Sequence, residues 1–235
     1  MNKKIELSPR LRMVAALIPE GARLVDVGTD HGYLPAALIL EGKIPAAIAA
    51  DLRRGPLDRA VMTVRGCGLT DRVAFRLCDG LSAIRPEEAD AVVIAGMGGE
   101  TIADILAAAP WTRERRVPLV LQPMSSMDDL RAWLVNNGYR IEDERLAREG
   151  DTLYIALLVG TGTEEAYTPA ELYAGKNRND PLRGDWLELW LAKTERALNG
   201  LSQARQEGAA RRREQLNWVR DGLLEMKKEW DTWQK

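Results

Sequence analysis

The chain has 235 residues, 46% of them hydrophobic and 29% charged, with a net charge of −2 at neutral pH. This is an ordinary soluble globular balance; it offers no bulk positive charge to mark a nucleic-acid binder, and the length suits one α/β domain plus an appendage. The charge is unevenly spread: residues 176–235 hold 13 Lys and Arg against 10 Asp and Glu (+3), while residues 1–175 hold the remaining 20 and 25 (−5). Cys67 and Cys78 have neither metal-ligand spacing nor a redox CxxC pattern, so free thiols in a reducing compartment are expected. Met1-Asn2-Lys3-Lys4 leads straight into Leu7-Ser8-Pro9 without a secretory apolar stretch, and no apolar run is long enough to span a bilayer. A cytoplasmic protein without membrane contact is expected. The single histidine, His31, excludes a His-based metal cluster.

Ser8-Pro9 reads as a helix cap followed by proline at the first helical position, with Leu11, Val14, Ala15 and Ile18 at helical spacing behind it. Arg23–Val27 is the first strand, and Asp26-Val27-Gly28-Thr29-Asp30-His31-Gly32 turns it into a helix over Gly32–Leu40. The loop is not the dinucleotide fingerprint G-x-G-x-x-G, because Asp30 stands where the second glycine belongs. Two carboxylates there would repel a pyrophosphate. They suit the ammonium and sulfonium of S-adenosylmethionine, which carries no phosphate.

Ala46–Ala50 is a second strand ending in Asp51, Pro56–Gly66 a helix, and Val73–Cys78 a third strand ending in Asp79-Gly80. Ala91–Ala95 is a continuous apolar run, as in a strand buried on both faces of a parallel sheet, and ends in Gly96-Met97-Gly98-Gly99. Glu100–Ala108 is a helix, Pro118–Leu121 a strand, and Met127–Asn137 a helix closed by Gly138. Tyr139–Leu146 and Thr152–Val159 form a terminal hairpin. The alternation predicts a Rossmann-like, doubly wound, mostly parallel sheet of seven strands. Ligands of such sheets lie outside the carboxyl ends of the strands, and four successive strands here end in Asp or Gly residues.

A polar hinge at Gly160–Thr163 closes this first domain at residue 160, and residues 164–184 read as irregular. Leu187, Leu191, Thr194, Leu198 and Leu201, then Leu216, Val219, Leu223, Met226, Trp230 and Trp233, step by threes and fours. These heptad seams predict an antiparallel helical hairpin, a coiled coil, turning within Gln203–Arg213. Residues 161–235 would form the second domain, and deleting residues 184–235 is expected to leave the sheet folded.

The stretches Asp26–Pro35, Ala95-Gly-Met-Gly-Gly99, Leu121-Gln-Pro-Met124, Asn137-Gly-Tyr139 and Glu149-Gly150 resemble class I S-adenosylmethionine-dependent methyltransferases, and within them the bacterial tRNA (adenine-22-N1)-methyltransferase family. The resemblance is strong over residues 8–159. It implies S-adenosylmethionine as methyl donor, N1 of an adenine in the tRNA D-arm as target, and a C-terminal coiled coil.

On this reading Asp26 or Asp30 accepts from the cofactor ammonium, Gly28 and Gly32 let the loop pass close beneath it, Asp51 holds the ribose hydroxyls, and Asp79 with Gly80 meets the adenine. Gly96, Met97 and Gly98 stand in the loop where the target base enters, Gly96 and Met97 also meeting the cofactor as His31 does, and Gly99 is expected at the substrate. The Asn/Asp-Pro-Pro-Tyr/Phe pattern of many amino-group methyltransferases is absent, which disfavours an exocyclic amine. Ring nitrogen N1 owns a lone pair, so alignment matters more than a base; bulk water can take the proton that later leaves, and His31 is either a candidate acceptor or a structural residue tying the loop to a neighbouring carbonyl. Arg10, Arg12, Arg53, Arg54 and Arg59 are expected to rim the active face, and Arg205, Arg211, Arg212 and Arg213 the hairpin tip, as phosphate contacts for tRNA. A monomer without metal is expected. Two alternatives compete: a small-molecule methyltransferase with a dimerising tail, and a non-catalytic S-adenosylmethionine-binding adaptor. The three glycines at 96, 98 and 99 speak against the adaptor.

Overall fold

The structure, a computed structural model, describes residues 5–202 and 208–234. Seven strands form one sheet: β1 (Leu24–Val27), β2 (Ala47–Asp51), β3 (Val73–Leu77), β4 (Ala91–Gly98), β5 (Leu119–Ser125), β6 (Tyr139–Glu149) and β7 (Thr152–Thr161), in the order β3-β2-β1-β4-β5-β7-β6. The first five strands run parallel, and β7 lies antiparallel between β5 and β6. The order reverses between β1 and β4, which opens a crevice at their carboxyl ends.

Side-chain alternation explains why these segments are strands with both faces covered. Val25, Val27, Val92, Ile94, Leu119 and Leu121 point into one buried cluster; Leu24, Ala47, Ala49, Ala91, Val93 and Val120 point into the other. Helices α1 (Pro9–Leu17), α2 (Tyr33–Leu40) and α3 (Arg54–Gly66) cover the second face. The Ser8 side chain caps α1 through Leu11 N, with Pro9 at its first position. Helices α4 (Gly99–Ala107), α5 (Trp111–Glu114) and α6 (Met127–Asn136) lie on the first face.

Three features depart from expectation. β4 and β5 continue past Ala95 and Leu121, so Gly96–Gly98 belongs to a strand with register shifts at Ala95/Met97 and Met97/Gly98 rather than to a free loop. The short α5 follows Pro110, whose fixed backbone sets up a single helical turn. The stretch 164–184 is not irregular throughout: α7 (Pro169–Ala174) forms there, with Thr168 and Glu171 making a capping box.

Beyond α7, α8 (Arg183–Ser202) and α9 (Ala209–Trp233) run antiparallel, since Glu188 near the start of α8 pairs with Lys227 near the end of α9 at 3.3 Å. Leu187 and Thr194 on one seam and Leu216, Val219 and Leu223 on the other are buried. Trp186, Leu187, Val219 and Leu223 share a single apolar cluster with β4, β5 and α6. A buried ion pair ties the junction: Arg131 on α6 meets Glu144 on β6 at 2.8 Å and donates to the carbonyls of Leu172 and Tyr173. Glu144 in turn accepts from Lys176 N and Asn177 N, so neither buried charge is left without partners. Among the described residues no helix is long and apolar enough to cross a membrane.

Candidate active site

The carboxyl ends of β1, β2, β3 and β4 border a cavity of about 560 Å³. Its first wall is the turn after β1. Asp26 is buried, and Gly28 and Gly32 take left-handed backbone at φ 77° and 65°, which lets the chain reverse into α2. Gly28 N and Thr29 N both donate to the Ala50 carbonyl, at 2.8 and 3.1 Å, so the turn is pinned to β2. A Cβ on Gly32 would stand 3.1 Å from that of Ala60, so the turn also packs tightly on α3.

Asp51 closes β2 and is buried, with Oδ1 accepting from Arg53 N at 2.7 Å. Cys78, Asp79 and Gly80 follow β3 into the lining, opposite Ile105 of α4. Ala95, Gly96 and Met97 supply the β4 side, and the Met97 methyl fills the space that a Cβ on Gly28 would need.

The electrostatics separate the two acids of the first turn. Asp30 is exposed, and the Arg59 guanidinium bonded to it holds its carboxyl below the ordinary value. Burial pushes Asp26 up to about 6, and the charge of Asp51 adds to the rise. Thr29 Oγ1, near enough to Asp26 to temper that rise, is buried without a partner in hydrogen-bond geometry. The cavity thus holds two buried carboxylates and, beside the first of them, the Thr29 hydroxyl. A cationic ligand with further polar groups satisfies all three. His31 lies in the same wall, its ring stacked on Tyr33 at 5.0 Å and Nε2 3.6 Å from Asp30.

Asp26, Gly28, Asp30, His31, Gly32, Asp51, Asp79, Gly80, Gly96 and Met97, expected at the cofactor, all line this one cavity, together with Arg10 and Arg53. The others are placed elsewhere. Gly98 and Gly99 do not line it; a Cβ on Gly99 would overlap the Ser126 carbonyl, so that glycine serves the close packing of α4 against the start of α6. Arg12 is drawn away by Glu41, which it meets at 2.8 Å, and Arg54 pairs with Asp58 within α3. Arg211, Arg212 and Arg213 are exposed at the start of α9, and Arg205 lies outside the described residues.

Sequence reasoning gave no role to Thr29, Cys78, Thr101 or Ile105, which line the cavity, or to Gln122 beneath it. The available signal for Gln122 was a polar residue ending an apolar strand.

The methyltransferase domain family matches residues 7–157. The tRNA (adenine(22)-N(1))-methyltransferase of Bacillus subtilis is 39% identical over 176 residues, 74% of each chain. The chain belongs to this family. The crystal structure of the B. subtilis tRNA methyltransferase TrmK superposes with a TM-score of 0.82 at 32% identity, covering 95% of this chain and 100% of that one. TrmK of M. capricolum, solved with the cofactor product S-adenosyl-homocysteine, superposes with a TM-score of 0.76 at 27% identity over 96% and 98%. Coverage of nearly the whole chain means that the likeness includes the C-terminal helices as well as the sheet.

Proposed function

We propose that this methyltransferase transfers a methyl group from S-adenosylmethionine to N1 of adenine 22 in tRNA. The observation that carries the reading is the pair of buried carboxylates, Asp26 and Asp51, in a cavity at the switch point of the sheet. Such a cavity favours a cationic cofactor and repels a pyrophosphate. With Asp30 engaged by Arg59, Asp26 is the acid free to meet the ammonium, and Thr29 supplies a further polar contact. Asp51 keeps one oxygen clear of Arg53 N for the ribose hydroxyls. Asp79 and Gly80, with Cys78 and Ile105, hold the adenine end.

When bound, S-adenosylmethionine supplies an electrophilic methyl on a sulfonium sulfur. The N1 lone pair of the target forms the new N–C bond, the C–S pair stays on sulfur, and the positive charge passes to the adenine ring. No proton need leave before attack, so the protein's work is alignment, by Gly96 and Met97 against the first turn. His31, at the cavity wall, is the candidate to receive a proton afterwards.

Residues 1–160 carry this chemistry. Residues 161–235 hold tRNA through Arg211, Arg212 and Arg213, with Arg53 adding a cation at the active face. The protein works as a cytoplasmic monomer.

The test is methylation of bulk unmodified tRNA with labelled cofactor, followed by nucleoside analysis. Label is expected in 1-methyladenosine at one position. Label confined to small molecules, or none at all, overturns the reading.

A further inference from the structure

Gln122 is fully buried at the end of the apolar run of β5 and does not line the cavity, yet its carboxamide is completely engaged. Oε1 accepts from Gly96 N at 3.1 Å and from Arg10 Nη1 at 2.8 Å. Nε2 donates to the Pro123 carbonyl at 3.0 Å and faces Met124 Sδ at 3.5 Å. A carboxamide has two orientations, related by a half-turn about its last bond. A guanidinium only donates, so Arg10 admits only the orientation with the oxygen towards it. The same orientation sets that oxygen on Gly96 N, where β4 shifts register and φ reaches 78°. The reverse orientation opposes donors to donors at Gly96 and Arg10, and oxygen to oxygen at Pro123.

Arg10 is itself held from two sides. Its backbone N donates to Glu149 Oε2 at 3.2 Å, at the end of β6, and its guanidinium lies 5.7 Å from the centre of the Tyr154 ring on β7. The connection runs from the terminal hairpin through Arg10 and Gln122 to Gly96, and from there to Met97 packed over Gly28.

We propose that Arg10 is a positioning residue for methyl transfer: by orienting the Gln122 carboxamide it holds the Gly96–Met97 kink in the shape that aligns the target base. This rests on reading the cavity as the site of methyl transfer. It also assigns Arg10 a different task from the phosphate contact expected of an arginine on the active face.

The experiment compares Arg10→Met, Arg10→Lys, Gln122→Met and the double variant Arg10→Met/Gln122→Met in steady-state methylation of unmodified tRNA. Affinity for S-adenosyl-homocysteine and the salt dependence of tRNA binding are measured alongside. Arg10→Met is expected to lower kcat by about tenfold or more, with KM for tRNA and the salt slope unchanged. Arg10→Lys, which also only donates, should recover most of the rate. The double variant should lose no more than the worse single one, since both cut the same connection. A raised KM with kcat intact, and a log–log slope smaller by about 0.7–0.9, overturns the proposal and makes Arg10 a phosphate contact. Multiplying losses in the double variant overturn it too.

Amide hydrogen exchange supplies a readout independent of turnover. Exchange at Gly96 should quicken in Arg10→Met and not in Arg10→Lys; unchanged exchange overturns the proposal. If the wild-type chain methylates no tRNA while exchange responds as stated, the assigned substrate fails and the Arg10–Gln122–Gly96 coupling stands.

Discussion

At the scale of single residues, the buried Asp26 governs the pH behaviour of the cavity. Its carboxyl rises from 3.8 to about 6, so the folded chain keeps a proton that the unfolded chain has already released. Stability from this group is therefore highest below about pH 4, falls between about pH 4 and about pH 6, and stays at the lower level above. The gap between 3.8 and about 6 amounts to about 3 kcal/mol. Asp26→Asn should raise the melting temperature at neutral pH by several degrees and change it little at about pH 4, while weakening cofactor binding. A cationic cofactor prefers the charged form. Calorimetry should thus show S-adenosylmethionine affinity increasing from about pH 5 to about pH 7, with proton release. A flat profile would remove Asp26 from the ligand. Asp51→Ala should lose roughly 1.5–3 kcal/mol of cofactor affinity, the worth of hydrogen bonds to a charged group. Unchanged affinity would take Asp51 out of the site.

At the scale of elements, the decisive piece is the irregular end of β4. Beyond Ala95 the strand stays paired with β5 through two register shifts and runs without a loop into α4, whose first residue is Gly99. Neighbouring glycines there answer to different neighbours. The Ser125 hydroxyl, 3.2 Å from a Cβ on Gly98, can rotate away; the Ser126 carbonyl against Gly99 is backbone and cannot. Gly99→Ala should therefore separate α4 from α6 at a cost of about 1–3 kcal/mol. Gly98→Ala should stay within about 0.5 kcal/mol of the parent. Thermal or urea unfolding of the two variants checks this, and equal losses would defeat the packing account.

For the whole molecule, the helical hairpin is bound into the core that supports the site. Removing residues 184–235 strips Trp186, Leu187, Val219 and Leu223 from a cluster shared with β4, β5 and α6. Each such side chain is worth about 1.5–3 kcal/mol when buried. The truncated chain should therefore melt lower and bind an apolar dye, against the expectation that the sheet stands alone. Charge substitutions at the start of α9 remove none of these apolar side chains and so address the RNA question more directly. Replacing Arg211, Arg212 and Arg213 together should lower the log–log salt slope of tRNA binding by roughly 0.7–0.9 for each phosphate that is no longer neutralised. Filter binding over a salt series measures it. A wild-type slope would move the RNA surface to the cavity rim around Arg53.

The sequence by itself determined the sheet class, the strands and the acids at their ends. These depend on local rules: short continuous apolar runs such as Val92–Ile94 and Leu119–Leu121, and glycines where Gly28 and Gly32 need left-handed backbone. It also determined most of the two helix seams, because helical periodicity is local as well; Trp233, expected on the second seam, is instead 60% exposed near the end of α9. The tertiary structure decided what depends on which distant residue arrives first. Arg12 and Arg54 read as rim cations, but Glu41 and Asp58 stand within reach of them. Asp26 and Asp30 looked equivalent until Arg59, 29 residues away, took Asp30 and burial set Asp26 apart. β7 lies between β5 and β6, an order that hairpin spacing leaves open. Gln122 reads as a strand-ending polar residue; only folding brings Arg10, 112 residues before it, to fix which way its carboxamide faces. Charge pairing and amide orientation are set by three-dimensional proximity, and linear spacing carries no record of it.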